Sequence, residues 1–492
     1  MSVSYAIISA VLFFSLTYIV GRATIQAVGL NFATDTEKNA IAPSVGLSIL
    51  TLVSSYIVLS GVALERVAMP VTIGLVFLSS FILLKINNTK IINEKIFIAK
   101  YYWVPFVLTG CLISLPFILG GFDFAILRGN GSDSFNYVVM ADALVNYPLN
   151  WILHQSRDNL LEYSPSLPLA RWSTSGLLAY ISSAFGIAPI EFEYAFTATL
   201  MMILYSSLLA CLYVTGSLTR ITAWVIVAYV AGFWGQFILD IRANSQIAAL
   251  PIITVILCSL ISPIVNGVGF IRYGIVLTAL LMSALLLQYP EIIVAYFPAA
   301  AIVLITRALK ISRGKFSIKN IARDIAVCIA IALAATAPFL PLLLRFVFEQ
   351  TQFAINKSLG WEVAYFSWMS NPVVGFWGNG SIPNFGYIVD TIYSVLAFVV
   401  SMLLTLKLLT ELKLFTRKFR NSADNFSELT IVTMVLSGVL FASFLYFKGN
   451  PWSSGKVISF YSVLIPIFLA VSWKGKDSKV FNQNFTWLLR TA

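Results

Sequence analysis

The sequence predicts an all-α polytopic membrane protein of about 13 transmembrane helices with two long extracytoplasmic loops. Composition is the first observation behind this: of 492 residues, 59% are hydrophobic and only 11% are charged, whereas soluble domains carry roughly 25% charged residues. The second is that apolar runs of about 20 residues, long enough to cross a hydrocarbon core, recur from one end to the other. Because these runs are continuous and not alternating, they exclude an outer-membrane barrel. The third is where the net charge of +11 sits. Basic residues gather at Lys85–Lys100, at Arg307–Arg323, at Lys407–Arg420 and at Lys474–Arg490. Each group flanks an apolar run, as the positive-inside rule requires, so the charge marks topology and anionic lipid headgroups, with no nucleic-acid partner implied.

In chain order, an N-terminal unit (1–120) holds runs at 5–28, 42–63, 68–84 and 102–120. The first run lacks a basic flank before it and a small-residue cleavage site after it, so no cleaved signal peptide is expected. A long polar stretch, 121–193, reads as an extracytoplasmic catalytic loop with an interfacial helix. The central unit (194–346) holds runs at 194–216, 221–239, 246–265, 272–288, 291–308 and 325–346. A second extracytoplasmic loop covers 347–385, and a C-terminal unit (386–492) holds runs at 386–406, 429–447 and 457–473 before a cytoplasmic tail. With the four basic groups on the cytoplasmic side, every intervening span count is consistent. The N-terminus then lies outside and the C-terminus inside. Cys111, Cys211, Cys258 and Cys328 all fall within apolar runs, which predicts packing residues and no disulfide framework.

Seven acidic residues lie in the first loop: Asp123, Asp133, Asp142, Asp158, Glu162, Glu191 and Glu193. Its basic residues are Arg128, Arg157 and Arg171. Ser132 is a suitable N-cap, and Phe135, Val138, Val139 and Leu144 make one apolar stripe on a short helix. Asp133 falls in its first turn, where the helix dipole favours negative charge. Such a helix lies in the interface plane against lipid or the bundle. Trp151, Trp172 and the nearby tyrosines suit headgroup depth. The second loop is aromatic, with Trp361, Tyr365, Phe366, Trp368, Phe376 and Trp377, residues that serve either as sugar platforms or as headgroup anchors. Short outer turns are expected at Asp240–Ser245, Gln288–Glu291 and Lys448–Lys456.

The first loop carries Asp133-Ser-Phe-Asn-Tyr137-Val-Val-Met-Ala141 and then Arg171-Trp-Ser-Thr-Ser-Gly176 leading into an apolar segment. This order resembles the first extracytoplasmic region of GT-C-type glycosyltransferases, the class to which bacterial O-antigen and lipopolysaccharide modifying enzymes belong. The resemblance implies an inverting transfer of a sugar from a polyprenyl-phosphate donor to a glycan acceptor, within a lipid bilayer and facing the periplasm. It implies a loop aspartate, Asp133 or Asp123, as the base that takes the acceptor hydroxyl proton. Arg171, Arg242 and Lys456 are its candidates for holding the departing phosphate. Glu291 could bind sugar hydroxyls, and Tyr137, Arg128 and Trp172 complete the candidate substrate contacts. Each has a plainer role open to it: a helix cap for Asp133 and Glu291, an ion pair with Asp240 for Arg242, a snorkelling side chain for Lys456.

His154 is the only histidine and has no cysteine near it, so a zinc site of standard type is excluded. Asp123 and Asp133 could hold a divalent cation, which the chemistry does not require. No phosphate-cradling glycine loop, nucleotide fingerprint or serine-hydrolase elbow occurs. Two other functions fit the same composition: a polysaccharide polymerase or ligase, and a lipid-linked oligosaccharide flippase or transporter. The latter calls for functional charges near mid-membrane.

Overall fold

The computed structural model describes residues 3–30, 33–86, 97–119, 132–149, 152, 167–232, 235, 238–239, 243–262, 271–311, 318–356, 410 and 426–473. Among them every regular element is helical. In order they are α1 (Val3–Val28), α2 (Asp35–Leu59), α3 (Leu64–Ile86), α4 (Phe97–Leu119), α5 (Ser132–Asn146), α6 (Leu167–Phe185), α7 (Pro189–Val214) and α8 (Arg220–Ala231). There follow α9 (Asn244–Ile261), α10 (Gly274–Gln288), α11 (Pro290–Ile311), α12 (Ile318–Thr336), α13 (Leu340–Asn356), α14 (Phe426–Phe447), α15 (Pro451–Tyr461) and α16 (Leu464–Trp473).

Seven helices among the described residues are long and apolar enough to cross a membrane, and eight are if α15 and α16, bent by 44° at their junction, count as one broken span. The chain is therefore an all-α protein built for a lipid bilayer. Of the thirteen runs expected from hydropathy, several correspond to shorter apolar helices, among them Arg220–Ala231 and Gly274–Gln288. The run at 386–406 and the second loop beyond Asn356 lie outside the described residues.

Burial sorts the helices. The most apolar windows of α7 and α9 are both 89% buried, against 11% for α3. Thus α7 and α9 form the centre, while α3 turns Phe77, Leu78, Phe81 and Leu84 outward, as a lipid-facing helix does. In lipid, apolar helices gain little from mere burial, so close packing through small residues must hold them. The α1–α2 crossing shows this. A Cβ on Gly21 would stand 1.8 Å from the Ala42 carbonyl oxygen, and one on Gly46 would stand 1.8 Å from that of Thr17. Two backbones meet there with no room for a side chain.

Helix α7 runs antiparallel to α2. Ser206 donates to the Ala40 carbonyl at 2.8 Å, the Ser207 and Ser44 hydroxyls lie 2.5 Å apart, and Thr34 donates to the Tyr213 hydroxyl at 3.0 Å. Helix α6 instead runs parallel to α2, with the Ser173 and Ser55 hydroxyls 3.2 Å apart and Gly176 against Val58. Thr72 of α3 donates to the Tyr180 hydroxyl at 2.7 Å.

The stretch 121–193, read from sequence as a loop with one interfacial helix, holds two whole helices among its described residues and the start of a third. The short helix expected from Ser132 is present as α5, but its Tyr137, Val138, Met140, Ala141, Ala143 and Leu144 are all buried. Next to it, α6 buries every residue from Trp172 to Ser182. Its serine and threonine residues depress the hydropathy of α6, yet Ser173, Thr174, Ser175 and Ser182 are buried. Ser173 pairs with Ser55 of α2, Thr174 with Ser245 and Gln288, and Ser182 donates to the Ala179 carbonyl. Trp172, expected at headgroup depth, is enclosed and stacked on Phe339 with ring centroids 5.3 Å apart. Of the cysteines, Cys211, Cys258 and Cys328 are free and buried as expected, whereas Cys111 is exposed.

At the end of the bundle where α2 begins, Glu37 and Arg272 form a two-pronged ion pair. Arg272 Nε donates to Glu37 Oε1 at 2.7 Å and Nη2 donates to Oε2 at 2.8 Å. Burial opposes the Arg272 charge, but the facing carboxylate more than offsets this and holds its pKa above the ordinary arginine value.

Candidate functional site

The opposite end of the bundle, where α2 finishes and α3 begins, holds a cluster of buried hydrogen-bonding side chains. Its centre is the first turn of α9. Three consecutive residues there each reach a different helix. Asn244 Nδ2 donates to Glu193 Oε1 of α7 at 3.0 Å. Ser245 lies 2.7 Å from the Thr174 hydroxyl of α6. Gln246 Nε2 donates to Ser459 of α15 at 2.7 Å.

The cluster extends from Thr174. Its hydroxyl donates to Gln288 Oε1 at 2.5 Å, which leaves Ser245 as the donor in their shared contact. Gln288 Nε2 in turn donates to Thr51 of α2 at 2.9 Å. The Thr197 hydroxyl, 2.8 Å from the Glu193 carbonyl, stands 3.2 Å from Asn244 Oδ1. The cluster therefore ties together α2, α6, α7, α9, α10 and α15. Since Thr51 lies eight residues before the end of α2, it is recessed by about 12 Å from that end. Glu193 and Gln288 are both fully buried. Polar side chains at such depth in an apolar bundle are costly unless paired, and a buried ionisable group such as Glu193 makes the cluster a candidate functional site.

On the margin of the cluster, α10 stops at Gln288 because Pro290 cannot continue its hydrogen-bond ladder. Tyr289 fills the junction, buried, with Phe460 edge-on at 5.4 Å. Lys456 Nζ lies 5.9 Å from the centroid of that tyrosine ring. Lys456 is the sixth residue of α15, half-buried, and not the end of a turn as the sequence suggested. Where α15 meets α16, the Tyr229 and Ser462 hydroxyls lie 2.7 Å apart, while Tyr296 donates to the Phe460 carbonyl at 2.7 Å. Tyr461 donates to the Ala295 carbonyl at 3.0 Å, and its ring stacks on Tyr296 at 4.2 Å.

The candidates from sequence fall into four groups. Lys456 stands at the cluster's margin, and Glu291, half-buried in the first turn of α11, follows Gln288 by three residues. Tyr137 and Trp172 are interior residues of α5 and α6. Asp133 and Arg171 are placed in backbone only, as the second residue of α5 and the fifth of α6. Asp123, Arg128 and Arg242 lie outside the described residues, as do His154 and the second loop beyond Asn356.

Sequence reading passed over Thr51, Thr174, Glu193, Asn244, Ser245, Gln246 and Ser459. Asn244 and Ser245 were expected in an outer turn, but they open a buried helix instead. The usable signal was three consecutive polar residues at the mouth of an apolar run, which a solvent turn and a buried helix start share. Among the described residues no group of three or more His, Cys, Asp or Glu side chains could hold a metal ion. No protein-family model, curated protein or solved structure matches this chain.

Proposed function

We propose that this chain is a GT-C-like membrane glycosyltransferase that moves a sugar from a polyprenyl-phosphate carrier to a lipid-linked glycan or surface polysaccharide. The observation that carries this reading is the recessed cluster of hydroxyl and amide side chains, with the Glu193 carboxyl among them and Lys456 on its margin. Hydroxyls and amides suit a sugar ring, and the ammonium suits the phosphate that leaves. The distribution of basic residues orients this end of the bundle outward, toward the periplasm of a bacterial inner membrane, with about 13 spans in all.

In the reaction, the acceptor hydroxyl gives its proton to Asp133, or to Asp123, and its oxygen attacks the anomeric carbon from the face opposite the phosphate. The bond from that carbon to the phosphate oxygen breaks, and the phosphate leaves with the electron pair, its charge met by Lys456 and Arg171. Position supports these roles in part. Arg171 precedes Thr174 by less than one turn of α6, and Asp133 lies on α5, which packs against α6.

A second reading draws on the 44° break between α15 and α16, since interrupted helices beside buried polar groups also build transport sites. Reconstituted liposomes separate the two. Glycosyl transfer without passage of the lipid-linked donor between leaflets supports the enzyme, and passage without transfer supports a flippase. Transfer only of preassembled repeat units would mean a polymerase or ligase.

A further inference from the structure

One contact of Lys456 itself and one of its helix bear on where its ammonium stands. Its ammonium faces the Tyr289 ring at 5.9 Å, within the roughly 6 Å over which a ring face attracts a cation. The ring cannot swing away, because Tyr289 is 2% exposed and Phe460 stands edge-on to it. Ser459 lies three residues after Lys456, on the same face of α15, and there it accepts from Gln246 of α9. The α9–α15 bond thus sets the rotation of the helix, and the ring sets the reach of the side chain.

We infer that Tyr289 and Gln246 are positioning residues for Lys456, holding its ammonium at the margin of the polar cluster to meet an anionic group of the substrate. That the anionic group is the carrier phosphate rests on the function proposed above. The positioning itself does not.

The first test therefore reads Lys456 without turnover. Protein in lipid nanodiscs is acetylated with an amine-reactive ester, and the extent at Lys456 is followed by peptide mass spectrometry, with Lys448 as internal control. Tyr289→Phe, which keeps the ring, should label within about twofold of wild type. Tyr289→Leu should label at least about threefold faster at Lys456 and unchanged at Lys448, and Gln246→Leu should shift the same way. Equal rates in Tyr289→Leu and wild type, or a rise at both lysines, would overturn the inference. The second test titrates donor. Tyr289→Leu should lower kcat/KM for the donor about tenfold, with kcat falling as well because the leaving phosphate gains charge, while Tyr289→Phe stays near wild type. If labelling shifts as expected but wild type turns over no donor, the positioning stands and the glycosyltransferase reading falls. If transfer occurs and kcat/KM ignores Tyr289→Leu, the reading stands and the inference falls.

Discussion

Gln288 accepts the Thr174 hydroxyl at its carbonyl end and donates to Thr51 from its amide end, so one side chain joins α6, α10 and α2 inside the bundle. No bulk water is at hand to replace either bond. Gln288→Leu should therefore cost about 2 kcal/mol, because two hydroxyls lose a partner and Ser245 compensates only Thr174. Thr51→Val removes a single bond and should cost about 1 kcal/mol. Thermal unfolding in detergent checks the order; equal effects would mean that the bridge adds nothing beyond one hydrogen bond.

The Glu37–Arg272 pair should behave asymmetrically. Glu37 is fully buried, so Arg272→Met leaves an uncompensated charge and should destabilise by about 3–5 kcal/mol. The double variant Glu37→Leu with Arg272→Met should recover most of that loss. A double-mutant cycle of unfolding free energies measures this, and additive costs would contradict it.

The α1–α2 crossing predicts a contrast between glycines. Gly46→Ala places a methyl where the Thr17 carbonyl stands, so α1 and α2 must part, at a cost of at least about 2 kcal/mol. Gly74→Ala in α3 meets nothing within 4 Å and should be neutral or slightly stabilising. Comparing melting temperatures of the two variants suffices. If they are equal, the close approach does not contribute to stability.

What the sequence disclosed and what it hid follow one physical rule. Helices such as α1, α7 and α14 were legible because their apolar runs are unbroken, and the Gln288–Glu291 turn was legible because Pro290 ends one helix and starts another. Hidden were α6 and the start of α9. Their Ser173, Thr174, Asn244, Ser245 and Gln246 look like surface residues one at a time, and are buried only because they pair across helices. Hydropathy scores residues singly and cannot register such pairing. The same blindness placed Trp172 at the membrane surface when Phe339 encloses it. Of the candidate site, the sequence pointed to Lys456 and Gln288-Tyr-Pro-Glu291 but not to the cluster they border.

The measurement that bears most directly on function is sugar transfer by the purified, liposome-reconstituted protein. It would be offered a panel of labelled polyprenyl-phosphate sugars with lipid-linked glycan extract, with Asp133→Asn and Asp123→Asn run in parallel. The proposed function predicts transfer by wild type to a glycan acceptor and a loss of about a hundredfold or more in one of the two variants, with its folding intact. Folded wild-type protein that transfers nothing from any of these donors, or transfer that survives both substitutions, would contradict it.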